Sequence, residues 1–147
     1  MITIVGGSGF VGTKLINELS NMKIRNIDKR PSKLFNNYTR LCDIRDLSSL
    51  KFDPETDLVV HLAAEHKDDV KPVKLYYDVN VQGTKNLLKK MDDIGIKNLI
   101  FTSSVAIYGL NKKNPDENFQ PDPFNHYGKS KFEAEKLIQE WYQKDPS

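Results

Sequence analysis

Three glycines at fixed spacing constrain this chain more than any other feature. Gly6, Gly9 and Gly12 stand as G-x-x-G-x-x-G, directly after the β-branched run Ile2–Val5. Directly after them, Val11, Leu15, Ile16 and Leu19 recur at helical spacing. A strand must therefore enter a tight turn and leave it as a helix. In such a turn an early glycine makes the bend and a middle one lets the backbone approach a pyrophosphate. The last lets helix pack closely on strand. The helix N-terminus then offers unpaired N–H groups and a partial positive charge to the phosphates.

The rest of the chain repeats this alternation. A second strand is expected over 24–27, ending at Asp28, then a connection over 31–37 with a short helical turn, then a third strand over 38–42. The apolar run Leu58-Val59-Val60-His61-Leu62 is of the kind found in strands covered on both faces. A helix over 75–91 with a turn at Gly95, and a fifth strand over 99–101 ending at Thr102-Ser103-Ser104, come next. Three prolines make 111–125 a loop, and a last helix is expected over 127–143, stopped by Pro146. Strands alternating with helices predict an α/β domain, a doubly wound parallel sheet with helices on both faces. The 147 residues suit one such domain, and 38% apolar residues suffice for its core.

Composition removes several classes of function. The net charge of +2 argues against a nucleic-acid partner or an anionic membrane surface. No apolar run approaches the roughly 20 residues of a membrane span. The single cysteine, Cys42, excludes an intrachain disulfide and fits a reducing, cytoplasmic compartment. His61 and His66 have no partner at metal-site spacing, so they read as structural and no metal is expected.

Two further groups carry candidate chemistry. Asp28 lies 22 residues after Gly6, where a carboxylate accepts hydrogen bonds from ribose hydroxyls. It would repel a 2′-phosphate, favouring NAD over NADP, although Lys29 and Arg30 follow and offset its charge. Tyr127 and Lys131 are four apart, on one face of the last helix. An ammonium beside a tyrosine favours its phenolate form, and a nicotinamide cation would add to that effect. The hydroxyl of Ser104, at the carboxyl end of the fifth strand, is placed to orient a substrate alcohol. Taken alone, Y-x-x-x-K is as readily a solvated helix face, and Lys129 is equally charged with no role.

Together, GGSGFVG (6–12), Asp28, CDI (42–44), HLAA (61–64), NVQGTKNLL (80–88), TSSVAIYG (102–109) and YGKSKFEAE (127–135) resemble the extended short-chain dehydrogenase/reductases. These are the NAD-dependent sugar epimerases and dehydratases, and the likeness is to UDP-galactose 4-epimerase-like enzymes. The resemblance implies a Rossmann-like fold and roles by position. Gly6, Gly9 and Gly12 would form the pyrophosphate turn, with Phe10 and Val11 opening the helix beside it, and Asp28 would hold the adenosine ribose. Asp43 and Ile44 would sit at the adenine edge, Leu62, Ala63 and Ala64 along the cofactor, and Asn80 near it. Ser104, Tyr127 and Lys131 would be the catalytic residues, with Ser103 the rival for the serine role, and Tyr127 and Lys131 would also touch the cofactor. Ile44 as core and Asn80 as a plain polar helix residue stay open.

The resemblance also implies a nucleotide-sugar substrate and transient oxidation of a sugar carbinol, with Tyr127 as base. A nucleotide-sugar reductase or dehydrogenase, or an NAD(P)-binding module without turnover, is the alternative. Relatives that are 4,6-dehydratases carry an acidic pair after the triad hydroxyl, where this chain has Val105 and Ala106. That departure disfavours dehydration. The C-terminal lobe that grips the nucleotide sugar in such enzymes is expected to be absent here. The fifth strand is then expected to keep an open edge, suited to a homodimer.

Overall fold

A computed structural model describes residues 1–110 and 112–144. Five strands, β1 (Ile2–Val5), β2 (Ile24–Asp28), β3 (Thr39–Leu41), β4 (Leu58–His61) and β5 (Asn98–Phe101), form one sheet in the order β3-β2-β1-β4-β5. Every pairing is parallel, with Ile2 in register with Ile24 on one side and Leu58 on the other. The doubly wound topology is thus the observed one. Its first strand is central, and the chain turns outward in both directions from it.

Alternation along the strands sorts their side chains between two layers. Ile4, Ile24 and Val60 face α1 (Phe10–Glu18), where they meet Ile16 with Leu15 and Leu19. Val5, Ile27 and Val59 face the opposite layer, where they meet Leu87, Leu88 and Met91. That layer consists of α2 (Lys74–Tyr77), α3 (Gly83–Ile94) and α4 (His126–Lys144), with Leu137, Ile138 and Trp141 of α4 packed at its margin. Asn125 caps α4, accepting the Gly128 N–H at 2.7 Å.

The expected elements are all present, with two additions. Helical backbone is continuous from Lys74 to Ile94, but Asp78–Gln82 forms a π turn between α2 and α3. The short helical turn expected before the third strand is a 3₁₀ turn, Asn36–Tyr38, which takes in Tyr38 so that β3 begins at Thr39; a further 3₁₀ turn, Val105–Tyr108, follows β5. Asn111, at the start of the expected loop, and Pro146, expected to stop the last helix, lie outside the described residues. β5 pairs only with β4 and bounds the sheet among the described residues, and its Ile100 is 53% exposed.

The larger core sets the domain's stability. Leu87 has no exposed surface and sits among β-strand and α3 side chains. Leu87→Ala is expected to cost about 3 kcal/mol by urea denaturation, because a lost side chain leaves a cavity the layers close only in part. A loss below about 1 kcal/mol would contradict this packing.

Candidate active site

The carboxyl ends of β1, β2, β4 and β5 open on one groove of about 460 Å³. The β1–α1 turn forms its floor. Gly6 has φ +92°, and a Cβ there would lie 2.5 Å from the Ala63 amide nitrogen. The turn can therefore approach the end of β4 only as glycine. A Cβ at Gly12 would likewise lie 2.4 Å from Gly7 Cα, so α1 leaves the turn at backbone contact. Gly9 starts α1 without a side-chain cap, which leaves the first-turn amides for an external acceptor.

At one end of the groove lies Asp28, 7% exposed. Its Oδ2 accepts the Ser8 N–H at 3.0 Å and its Oδ1 the Arg30 N–H at 2.9 Å. Arg30 Nε is 4.0 Å from Oδ1, whereas Lys29 reaches Glu65 at 4.0 Å. Asp43 lies nearby with its carboxylate gripped by Arg45 at 2.6 Å, which holds it below the usual carboxylate range.

At the other end stand Tyr127 and Lys131. Lys131 is 2% exposed, and its Nζ donates to the Thr102 carbonyl at 2.6 Å while lying 3.8 Å from the centroid of Phe101. Burial pulls its pKa down from 10.5 to about 8. Behind it lies His61, wholly buried, its ring 5.4 Å from that of Phe101. Thr84 Oγ1 gives its one proton to the Asn80 carbonyl, so His61 Nε2 must donate to Thr84 across 3.0 Å. His61 Nδ1 is then an acceptor without a partner. Burial first, and the Lys131 charge second, push its pKa to about 3 and keep it neutral.

The groove gathers Gly6, Gly9, Phe10, Val11, Gly12, Asp28, Asp43, Ile44, Leu62, Ala63, Ala64, Tyr127 and Lys131, all expected from the sequence. Two expected residues do not line it. Asn80 is 2% exposed, in the π turn, and its carboxamide is fully engaged: Oδ1 accepts from Glu65 N, and Nδ2 donates to Glu65 O and to Ser130 Oγ at 2.8 Å. Since Ser130 Oγ donates in turn to the Tyr127 carbonyl, Asn80 joins the segment after β4 to the first turn of α4. It supports the site from behind and makes no lining contact. Ser104 caps the 3₁₀ turn after β5, its Oγ accepting the Ala106 N–H, while its neighbour Ser103 lines the groove with a buried Oγ that has no partner.

His66, expected from the sequence to be structural, and Thr102, expected only to end the fifth strand, also line the groove. Proximity in sequence to Ala64 and Ser103 was the available signal for both. Among the described residues no three metal-ligating side chains cluster, and no helix is long and apolar enough to cross a membrane.

A parallel sheet whose first turn is a glycine cradle, joined through one groove to a tyrosine and a buried lysine, defines a dinucleotide-binding domain of the short-chain dehydrogenase type. The chain belongs to the NAD dependent epimerase/dehydratase family, which it matches over residues 2–145. It is 54% identical, over 99% of its length, to N-acetyl-alpha-D-glucosaminyl-diphospho-ditrans,octacis-undecaprenol 4-epimerase of Escherichia coli O157:H7, and covers 45% of that protein. It is 33% identical to UDP-glucose 4-epimerase 2 of Oryza sativa subsp. japonica, covering 99% of this chain and 41% of the relative. The structure of UDP-glucose 4-epimerase from Brucella ovis in complex with NAD superposes with a TM-score of 0.82 at 27% identity, over 97% of this chain and 47% of that one. The chain thus spans about half the length of the relatives it matches.

The buried lysine has a measurable signature. Its pKa of about 8 in the fold lies below 10.5, so between those values the unfolded chain binds more protons and stability rises with pH. In lysine labelled at Cε, one resonance is expected to titrate near pH 8 and to vanish in Lys131→Met. Lysines that all titrate above pH 10 would contradict the buried ammonium.

Proposed function

We propose that these residues are the cofactor half of an NAD-dependent 4-epimerase acting on a sugar held through a diphosphate. The observation that carries this reading is the single groove joining the glycine turn and Asp28 to Tyr127 and Lys131. The residues suit a dinucleotide: the turn has no room for side chains where Gly6 and Gly12 stand, and its helix start is uncapped. NAD, when bound, would take up the hydride of the sugar carbon and give it back to the other face, so that the proton Tyr127 returns restores the alcohol.

The chain's own residues supply the rest. The first-turn amides of α1 receive the pyrophosphate, and Asp28 accepts hydrogen bonds from the adenosine ribose. Asp43 and Ile44 border the adenine, and Leu62, Ala63 and Ala64 border the path between. Lys131 places a positive charge beside Tyr127 and donates to the nicotinamide ribose. Tyr127 takes the proton from the C4 hydroxyl and returns it after the keto sugar has presented its other face. The hydroxyl that holds the reacting oxygen comes from the Ser103–Ser104 pair: Ser104 keeps its proton because its cap bond uses only a lone pair, and Ser103 lines the groove with its hydroxyl unpartnered. Val105 and Ala106 offer no group that can move a proton, which supports epimerisation over dehydration.

The carrier is the finer point. The 54% relative is named for a sugar on a polyprenyl diphosphate, and this favours a lipid-linked N-acetylhexosamine. The UDP-glucose 4-epimerases, at 29–34% identity, favour a nucleotide sugar. The test joins these residues to the C-terminal half that the relatives carry and offers both N-acetylglucosaminyl-diphospho-undecaprenol and UDP-N-acetylglucosamine. C4 epimerisation of the lipid-linked sugar is expected, and turnover of UDP-N-acetylglucosamine alone would assign the nucleotide carrier. Tyr127→Phe is expected to lower kcat by about 10³-fold while leaving NAD bound. An unchanged rate removes Tyr127 as the base, and inactivity of the parent protein on both substrates contradicts the epimerase reading.

A further inference from the structure

Asn26 is a polar residue where the fold calls for an apolar one. It lies mid-way along β2, between β1 and β3, with zero exposure. Strands covered on both faces are ordinarily apolar throughout. Its side chain points toward α1, and a Cβ at Gly7 would lie 2.3 Å from Asn26 Oδ1. Gly7, which stands outside the G-x-x-G-x-x-G spacing, therefore makes room for this carboxamide.

The hydrogen bonds around it admit one arrangement. Ser8 Oγ donates to the Arg30 carbonyl at 2.9 Å, and Thr39 Oγ1 donates to the Phe35 carbonyl at 2.8 Å. Each hydroxyl has one proton, so each can only accept from Asn26. The two protons of Nδ2 serve them, at 3.1 Å to Ser8 and 2.9 Å to Thr39. This assigns the orientation of the amide and leaves Oδ1 buried without a partner. An apolar side chain would avoid that unsatisfied oxygen, so the carboxamide contributes little net stability to the fold.

What it does hold is Ser8. That residue is fixed by Asn26 from below and by the Arg30 carbonyl from the side, and its own N–H holds one oxygen of Asp28. Arg30 N–H holds the other. Asn26 and Asp28 are two apart on β2 and so share a face.

We propose that Asn26 is a positioning residue of the cofactor site. Through Ser8 it sets the direction of the Asp28 carboxylate toward the vicinal hydroxyls of an adenosine ribose, and with it the preference for a ribose without a 2′-phosphate. This rests on the reading of Asp28 given above.

Calorimetry of the 147-residue chain with NAD and NADP tests it, using Asn26→Val, Asp28→Ala and the double variant. Asn26→Val is expected to keep its melting temperature within about 4 °C. It is expected to weaken NAD about fivefold, one hydrogen bond's worth, and to reduce the NAD-to-NADP ratio by a similar factor. In the Asp28→Ala background the same change is expected to have no effect on NAD. NAD binding within twofold of the parent, or an equal loss with and without Asp28, overturns the proposal while leaving Asp28 in its role. An Asp28→Ala chain that binds NAD as the parent does overturns both. Should Asn26→Val fail to fold, Ser8→Ala removes the same link from the turn side. It is expected to give the same loss, and affinity within twofold of the parent overturns the proposal.

Discussion

The approach of the β1–α1 turn to the end of β4 is the contact on which the rest of this domain depends. With the place of a Gly6 Cβ 2.5 Å from the Ala63 nitrogen, the two strand ends meet at backbone distance. Any side chain there would push the turn off Leu62-Ala63-Ala64 and break this contact. The same closeness sets α1 against the turn at Gly12, so its uncapped first amides reach the groove. The sheet order follows from this centre: β1 is flanked by β2, which ends in Asp28, and by β4, which ends in His61.

A second constraint acts at the opposite end. Placing an ammonium inside the fold is unfavourable unless its protons are satisfied. Lys131 meets this with the Thr102 carbonyl and the face of Phe101, and His61 beneath it stays neutral. The Asn80–Ser130 link then fixes the helical turn that carries both Lys131 and Tyr127. Its π turn lets a buried asparagine in the middle of a helical stretch face the segment after β4 instead of solvent.

Most of this was legible in the residues, because periodicity and glycine spacing report backbone geometry directly. Ile2–Val5, the apolar run through Val60 and the helical spacing of α1 gave the layers, and thirteen of the fifteen expected site residues line one groove. What was not legible depends on side-chain direction. A π turn changes helical register by one residue without altering composition, so nothing marked Asn80 as turned inward. Ser103 and Ser104 are adjacent, and only the 3₁₀ turn at Val105–Tyr108 decides which hydroxyl caps backbone and which lines the groove. Asn26 sits inside what reads as an ordinary strand, and its partners Ser8 and Thr39 lie 18 and 13 residues away. Such contacts between distant residues leave no local pattern.

In the proposed function one groove takes a whole dinucleotide, its adenosine end at Asp28 and its nicotinamide end at Tyr127. A crystal structure of the 147-residue chain grown with NAD tests this most directly. Pyrophosphate oxygens are expected about 3 Å from first-turn amides of α1, ribose hydroxyls on Asp28, and the nicotinamide ribose within reach of Lys131 Nζ. A dinucleotide bound with its adenosine ribose away from Asp28, or with its nicotinamide outside the Tyr127–Lys131 end, would contradict it.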